Sequence, residues 1–141
     1  MITGIDEAGR SCVVSDGETA LDQLAPGFAM AIPYATTTSP PPARAAASAP
    51  LIDQGLAPGL VRWMIVDLGP DSETPMHHTD TLDLQTVLSG SVDLLLDDGT
   101  HRLSAGDRVV LTGVDHAWRG GPDGCRLSAV LIGTPPPAET T

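Results

Sequence analysis

The chain has 141 residues, 41% of them hydrophobic, and carries a formal net charge of −11 from 18 acidic and 7 basic side chains. That length gives room for one domain with its own core. The acidic balance argues against a nucleic-acid partner, because affinity for a phosphate backbone comes from Lys and Arg displacing counterions, and no stretch approaches the roughly 20 apolar residues of a membrane span.

The opening, Met1 to Glu7, lacks the basic and apolar regions of a secretory signal, so a cytoplasmic location is expected. Arg10 to Gly17 reads as a short β-branched strand stopped by Asp16-Gly17. From Leu21 to Pro50 the pattern loosens. Pro33, Pro40, Pro41, Pro42 and Pro50 have no amide to donate to a ladder, so this stretch is expected to be an extended arm or loop that a partner subunit can take up. Leu60 to Leu68 is strand-like and closed by Gly69-Pro70-Asp71. Leu82 to Leu88, Val92 to Leu96, His101 to Leu103, Val109 to Leu111 and Arg126 to Ile132 follow, separated by Ser89-Gly90, Asp97-Asp98-Gly99 and Ala105-Gly106-Asp107. Short strands at this spacing without a helical period predict an all-β sandwich or barrel. The predicted organisation is an N-terminal strand and proline-rich arm over 1–50, a barrel over 51–134, and a polar, proline-rich tail over 135–141.

Trp63, Trp118, Phe28 and Tyr34 are the only aromatic residues. The core must therefore come from Leu, Val, Ile and Ala, and no stacking platform for single strands is available. Cys12 and Cys125 are expected to remain thiols.

The chemistry is expected around the histidines His77, His78, His101 and His116. His78, four intervening residues, Asp83, six intervening residues and Gly90 resemble the end of the first cupin motif, G-x5-H-x-H-x3,4-E-x6-G, with Asp for Glu. Gly106-Asp107, then Gly113, two residues and His116, resemble the second motif. Met76 stands where the first histidine is usual, and Gly120 where the final asparagine is usual. The run from Met76 to Leu84 and the run from Gly106 to Arg119 are closer still to a group of small cupins from actinobacteria and fungi. The resemblance implies a double-stranded β-helix jelly-roll barrel with a divalent metal held by His116, Asp83 and one or both of His77 and His78.

Motif spacing favours His78 as a ligand. The small-cupin group and the period-two parity of 77, 79, 81, 83 and 85 favour His77, and both are carried. Imidazole and carboxylate suit Fe, Mn, Ni or Zn without choosing among them, and an incomplete shell leaves coordination positions open for water or substrate. Whichever of His77 and His78 is unligated is the expected proton shuttle. Met76, Gln85 and Trp118 are expected at the substrate pocket, with Arg119 at its mouth. For Trp118, packing is the stronger expectation, and His101 is given no role. Asp107 reads as a turn cap, and Asp97-Asp98-Gly99 as a hairpin turn. Nucleophile-elbow, P-loop and dinucleotide-binding patterns are absent.

The leading expectation is a metal-dependent enzyme acting on a small carbonyl- or carboxylate-bearing molecule of aromatic or polyketide secondary metabolism, by decarboxylation, cyclisation, isomerisation, dehydration or dioxygenation. The alternative is a non-catalytic binding or sensor cupin. A purely structural dimerisation module ranks last, although a homodimer is expected on either account.

Overall fold

The computed structural model describes residues 1–138. It contains nine strands and, among the described residues, no helix: β1 (Ile2–Ile5), β2 (Ser11–Ser15), β3 (Asp22–Ala25), β4 (Phe28–Met30), β5 (Val61–Leu68), β6 (Thr81–Leu96), β7 (Gly99–Ser104), β8 (Arg108–Leu111) and β9 (Ala117–Gly133). Seven form one sheet in the order β2-β1-β8-β6-β9-β5, with β7 on the far half of β6. Among the described residues, β3 and β4 pair only with each other.

Two long strands make the barrel. The first half of β6 lies between β8 and the end of β9, and its second half lies between β7 and the start of β9. Each strand therefore belongs to both walls and has to turn a corner. It does so at irregularities between Val87 and Ser89 and between Gly90 and Val92. Gly90 has φ +71, and a Cβ there would stand 2.0 Å from the carbonyl oxygen of Gly124. No side chain fits that crossing. The Ser89-Gly90 signal therefore bends a strand that local pattern alone would end, and the two strands expected over 82–96 are one. The same bending extends β9 back to Ala117, through Gly120, Gly121, Pro122 and Gly124, where turn residues hide a strand from pattern reading.

β1 and β2 join the sheet through a parallel bridge from Ile2 to Val110. The loose segment after Leu21 contains the hairpin β3–β4, turned at Pro26-Gly27 with Gly27 at φ +76, the chemistry of a type II turn. The expected tail from 135 is described only to 138 and forms no strand there.

Register fixes which side chains face inward. Asp83 stands opposite Leu111 and Leu131, Gln85 opposite Val109 and Ala129, and Val87 opposite Leu127. Directly opposed residues share a face, and Val87, Val109, Leu111 and Leu127 belong to the buried cluster with Val92, Leu94, Val114 and Trp118. Asp83 and Gln85 therefore project into the barrel. The core is aliphatic with one aromatic ring, as the composition requires, and truncating a residue such as Leu94 or Leu127 to Ala removes roughly 2–5 kcal/mol.

Candidate functional site

His77 and His116 are brought together by backbone pairing. Each amide donates to the other's carbonyl, His77 N to His116 O at 2.9 Å and His116 N to His77 O at 2.8 Å, and the ring centroids lie 4.4 Å apart. Both residues are buried, His116 to 2% exposure. Their ring nitrogens are set alike. His77 Nδ1 donates to the Pro75 carbonyl at 2.8 Å, and His116 Nδ1 to the Val114 carbonyl at 2.8 Å. A carbonyl only accepts, so Nδ1 carries the proton in each ring and Nε2 keeps its lone pair. Neither Nε2 has a hydrogen-bond partner among the described residues. Burial pushes the His116 imidazole down to about 4, against the opposing effect of its bond to Val114. It is neutral at physiological pH.

His78 points elsewhere. Its Nδ1 donates to the Ala49 carbonyl at 2.7 Å, and its Nε2 accepts from Arg44 Nη2 at 2.9 Å, which occupies both ring nitrogens. It is part of a strap formed by residues 44–52. Arg44 Nε donates to Asp80 at 2.8 Å, Asp115 accepts from the amides of Ser48 and Ala49 at 2.8 and 3.1 Å, and Leu51 forms a parallel bridge with His78. The two adjacent histidines are thereby divided: His77 meets His116, and His78 locks the strap. The structure thus places His78, expected as a ligand or proton shuttle, in the strap with both ring nitrogens bonded and not beside His116.

Asp83 is buried to 4% exposure on the inner face of β6. Thr81 Oγ1 donates to its Oδ1 at 2.6 Å, and Gln85 Nε2 to its Oδ2 at 3.4 Å. Burial pushes its carboxyl up to about 6, opposed by those two bonds. Gln85, expected at the substrate pocket, lies on the same face as Asp83 and donates to it. Asp83 bonds to neither imidazole, and among the described residues no group of three or more His, Cys, Asp or Glu is arranged to hold a metal.

The two preset imidazoles are donors of a kind that suits the ions expected, and among the described residues no third His, Cys, Asp or Glu stands with them. Of the four residues expected around a metal, the structure brings His77 and His116 together, while Asp83 bonds within β6 to Thr81 and Gln85 and His78 bonds within the strap.

Trp118 is buried and meets His116 edge-on, with centroids 6.1 Å apart. Its amide donates to Thr74 Oγ1 at 2.9 Å. It walls the site from the core side. Arg119, expected at the mouth, is instead paired outward with Glu73 at 3.0 Å, because one residue along a strand reverses the face. Met76 is half-buried in the bend before His77. His101 pairs with Asp98 at 2.7 Å, away from the site, and Asp107 caps its turn by accepting from Ser104 N at 2.8 Å.

Sequence reading missed Arg62. It stands opposite Leu131, which stands opposite Asp83, and β5 runs beside β9 without a slip as far as Leu68. Val66 and Leu68, on the same parity, pack against the core cluster. Arg62 is therefore on the inward register at the exposed end of the edge strand, and it has no ion pair among the described residues, whereas Arg10, Arg44, Arg102, Arg119 and Arg126 each have one. Strand register alone distinguishes it.

No protein-family model matches the chain. Phomopsin biosynthesis cluster protein C′ of Diaporthe leptostromiformis is 44% identical over 63 residues, 44% of this chain and 33% of that protein. A cupin-domain-containing oxidoreductase of Neurospora crassa is 34% identical over 55 residues, 38% of this chain and 28% of that protein. The chain spans about a third of the length of the curated relatives it matches. Among solved structures, the polyketide cyclase RemF of Streptomyces resistomycificus aligns over 51% of this chain and 54% of that one, at 26% identity and a TM-score of 0.48. No helix among the described residues is long and apolar enough to cross a membrane.

Proposed function

The chain is a cupin, and on that premise we propose that its barrel is the site of a metal-dependent enzyme of secondary metabolism acting on a small carbonyl- and carboxylate-bearing molecule. The observation that carries the proposal is the buried pair of His77 and His116, with both Nδ1 atoms committed to carbonyls and both Nε2 atoms free. Such a pair has no structural use for its free nitrogens. Similarity to a biosynthesis-cluster protein and to a cupin oxidoreductase supports the metabolic setting.

His77 and His116 would hold the ion, which supplies Lewis-acid polarisation of a substrate oxygen. Asp83, held near 6 by burial, exchanges a proton at its carboxyl close to neutral pH, the range useful to a general acid or base. Arg62 offers its guanidinium to an anionic substrate group at the open end of β5. Trp118 keeps water from the core side of His116.

The competing reading is a cupin that binds a small ligand without turnover, and the two-donor set favours it. The test is metal content of protein purified under native metal supply. About one ion per chain, lost in His77→Ala and His116→Ala and kept in His78→Ala, is expected; wild-type protein without metal overturns the metal site. A panel of small keto and enol carboxylic acids then separates the readings: product formed by wild type and abolished in Asp83→Asn supports the enzyme, whereas tight binding with the ligand recovered unchanged supports the sensor.

A further inference from the structure

His77, Asp83 and His116 are closed off from solvent, at 9%, 4% and 2% exposure. A molecule reaches their ring nitrogens and carboxyl oxygens only if part of the chain moves, and the covering parts are held very differently. The walls are ladders: β6 pairs with β8 and, along both of its halves, with β9. The segment before β5 is laced to the end of β9, with Gly59 N donating to Gly133 O and Gly133 N to Leu60 O at 2.9 Å each. The strap is the exception. Its backbone pairs with the barrel only at its end, where His78 N donates to Pro50 O at 3.0 Å and Ile52 N to His78 O at 2.9 Å. From 44 to 49 it is held through the side chains of three barrel residues, His78, Asp80 and Asp115. Ala43, Ala45, Ala46 and Ser48 are exposed, and so alanine-rich a segment has little apolar surface to lose on lifting, the mark of a locally weak unit.

We propose that residues 44–49 are a lid over the barrel end, latched by Arg44, which lifts to admit a small ligand to His77, Asp83 and His116 and closes behind it. Position is the first argument. Arg44 Cβ and the Thr79 carbonyl oxygen each lie 2.8 Å from where a Cβ of Gly113 would stand, so the strap runs along the crease where the segment carrying His77 meets the segment carrying His116. The latch is the second. Arg44 spans Asp80 at 2.8 Å and His78 at 2.9 Å, and the buried Asp115 accepts from Ser48 N, Ser48 Oγ and Ala49 N. His78 and Asp115 are the chain neighbours of His77 and His116, so the closed strap is fastened to the backbone that sets both imidazoles. Hinges are the third. Pro40, Pro41 and Pro42 stiffen the chain before the lid, and Gly55, at φ +64 with nothing within 4 Å of an added Cβ, leaves it free to swing after. Closure excludes water from Asp83 and the two free Nε2 atoms, where electrostatic interactions with a ligand then strengthen. The proposal rests on the reading of the barrel as the binding site.

Two measurements on the full chain test it, and neither uses a metal or a substrate. Hydrogen exchange followed by NMR should show the Ser48 and Ala49 amides of the wild type exchanging at least about 100-fold faster than the β6 amides paired with β9, through a local opening. Diethyl pyrocarbonate, which carbethoxylates an imidazole nitrogen that has a lone pair, then reads whether that opening reaches the site. Arg44→Gln removes the latch and should speed carbethoxylation of His77 and His116 roughly 10–100-fold, the worth of one or two charge-assisted bonds. His101, paired with Asp98 away from the strap, should react equally in both proteins, and the β6 amides should keep their protection. Exchange of Ser48 and Ala49 only together with the β6 ladder overturns the lid. So does an unchanged rate at His77 and His116 in Arg44→Gln, or a gain there that the β6 amides share. Protein that passes both tests but takes up no metal keeps the lid and loses only the metal reading of the site.

Discussion

Arg44 lies across Gly113 so closely that a Cβ on Gly113 would stand 2.8 Å from Arg44 Cβ and 2.8 Å from the Thr79 carbonyl oxygen. The turn glycine of the second motif thus has a tertiary function: it lets the strap pass over the barrel end and reach His78, Asp80 and Asp115. Gly113 also has φ +76, where a side chain is strained.

Gly113→Ala is therefore expected to lose stability on two counts, by about 2–4 kcal/mol, because a backbone oxygen cannot yield as a flexible side chain can. Gly106→Ala is the control, since Gly106 has φ +92 but nothing within 4 Å of its added Cβ. Thermal unfolding should show a clearly larger fall in melting temperature for Gly113→Ala. Equal falls would remove the packing role assigned to the strap.

Asp83 and His116 give the metal-free barrel opposing pH dependences. The Asp83 carboxyl, about 6 in the fold against an ordinary 3.8, contributes stability that is full below about pH 4 and lost as pH rises through 6. The His116 imidazole, about 4 in the fold against 6.5, contributes stability that is full above about pH 6.5 and lost as pH falls towards 4. Each displacement corresponds to about 3 kcal/mol. In urea unfolding with a chelator present, Asp83→Asn should be more stable than wild type at pH 8, with the gain disappearing near pH 4. His116→Gln should flatten the loss between pH 6.5 and 4. A gain from Asp83→Asn that is the same at both pH values would mean that burial does not raise that carboxyl.

Arg62→Gln tests the guanidinium at the open end of β5. A charge-assisted bond of about 1.5–3 kcal/mol corresponds to roughly a 10–100-fold weaker grip on a carboxylate. For an acid that the wild type binds, calorimetry should show that loss in affinity, while the methyl ester of the same acid binds wild type and variant alike. Equal weakening of acid and ester would place Arg62 outside the ligand's reach.

Much of the fold is written locally. The alternation in Leu60 to Leu68, the Asp97-Asp98-Gly99 turn and the β-branched run before Asp16-Gly17 each act within a few residues, and each became the expected element. The inward parity of Asp83 and Gln85 follows from the same period of two. Where a strand bends instead of ending, as at Gly90 and again at Gly120 to Gly124, turn chemistry and corner chemistry look alike in sequence, and only the strand packed across the bend separates them.

The sequence by itself determined the all-β barrel, the aliphatic core and the two motif segments that meet around His116, because strand period, composition and turn residues act at short range. The division of labour between His77 and His78 was decided by tertiary structure alone. The phase of a segment outside a continuous strand is set by its partners, here Ala49 and Arg44, 29 and 34 positions from His78, and His116 across from His77. The shift of Asp83, the inward register of Arg62 and the uncovered hairpin have the same origin: each depends on what distant chain does or does not bring beside it.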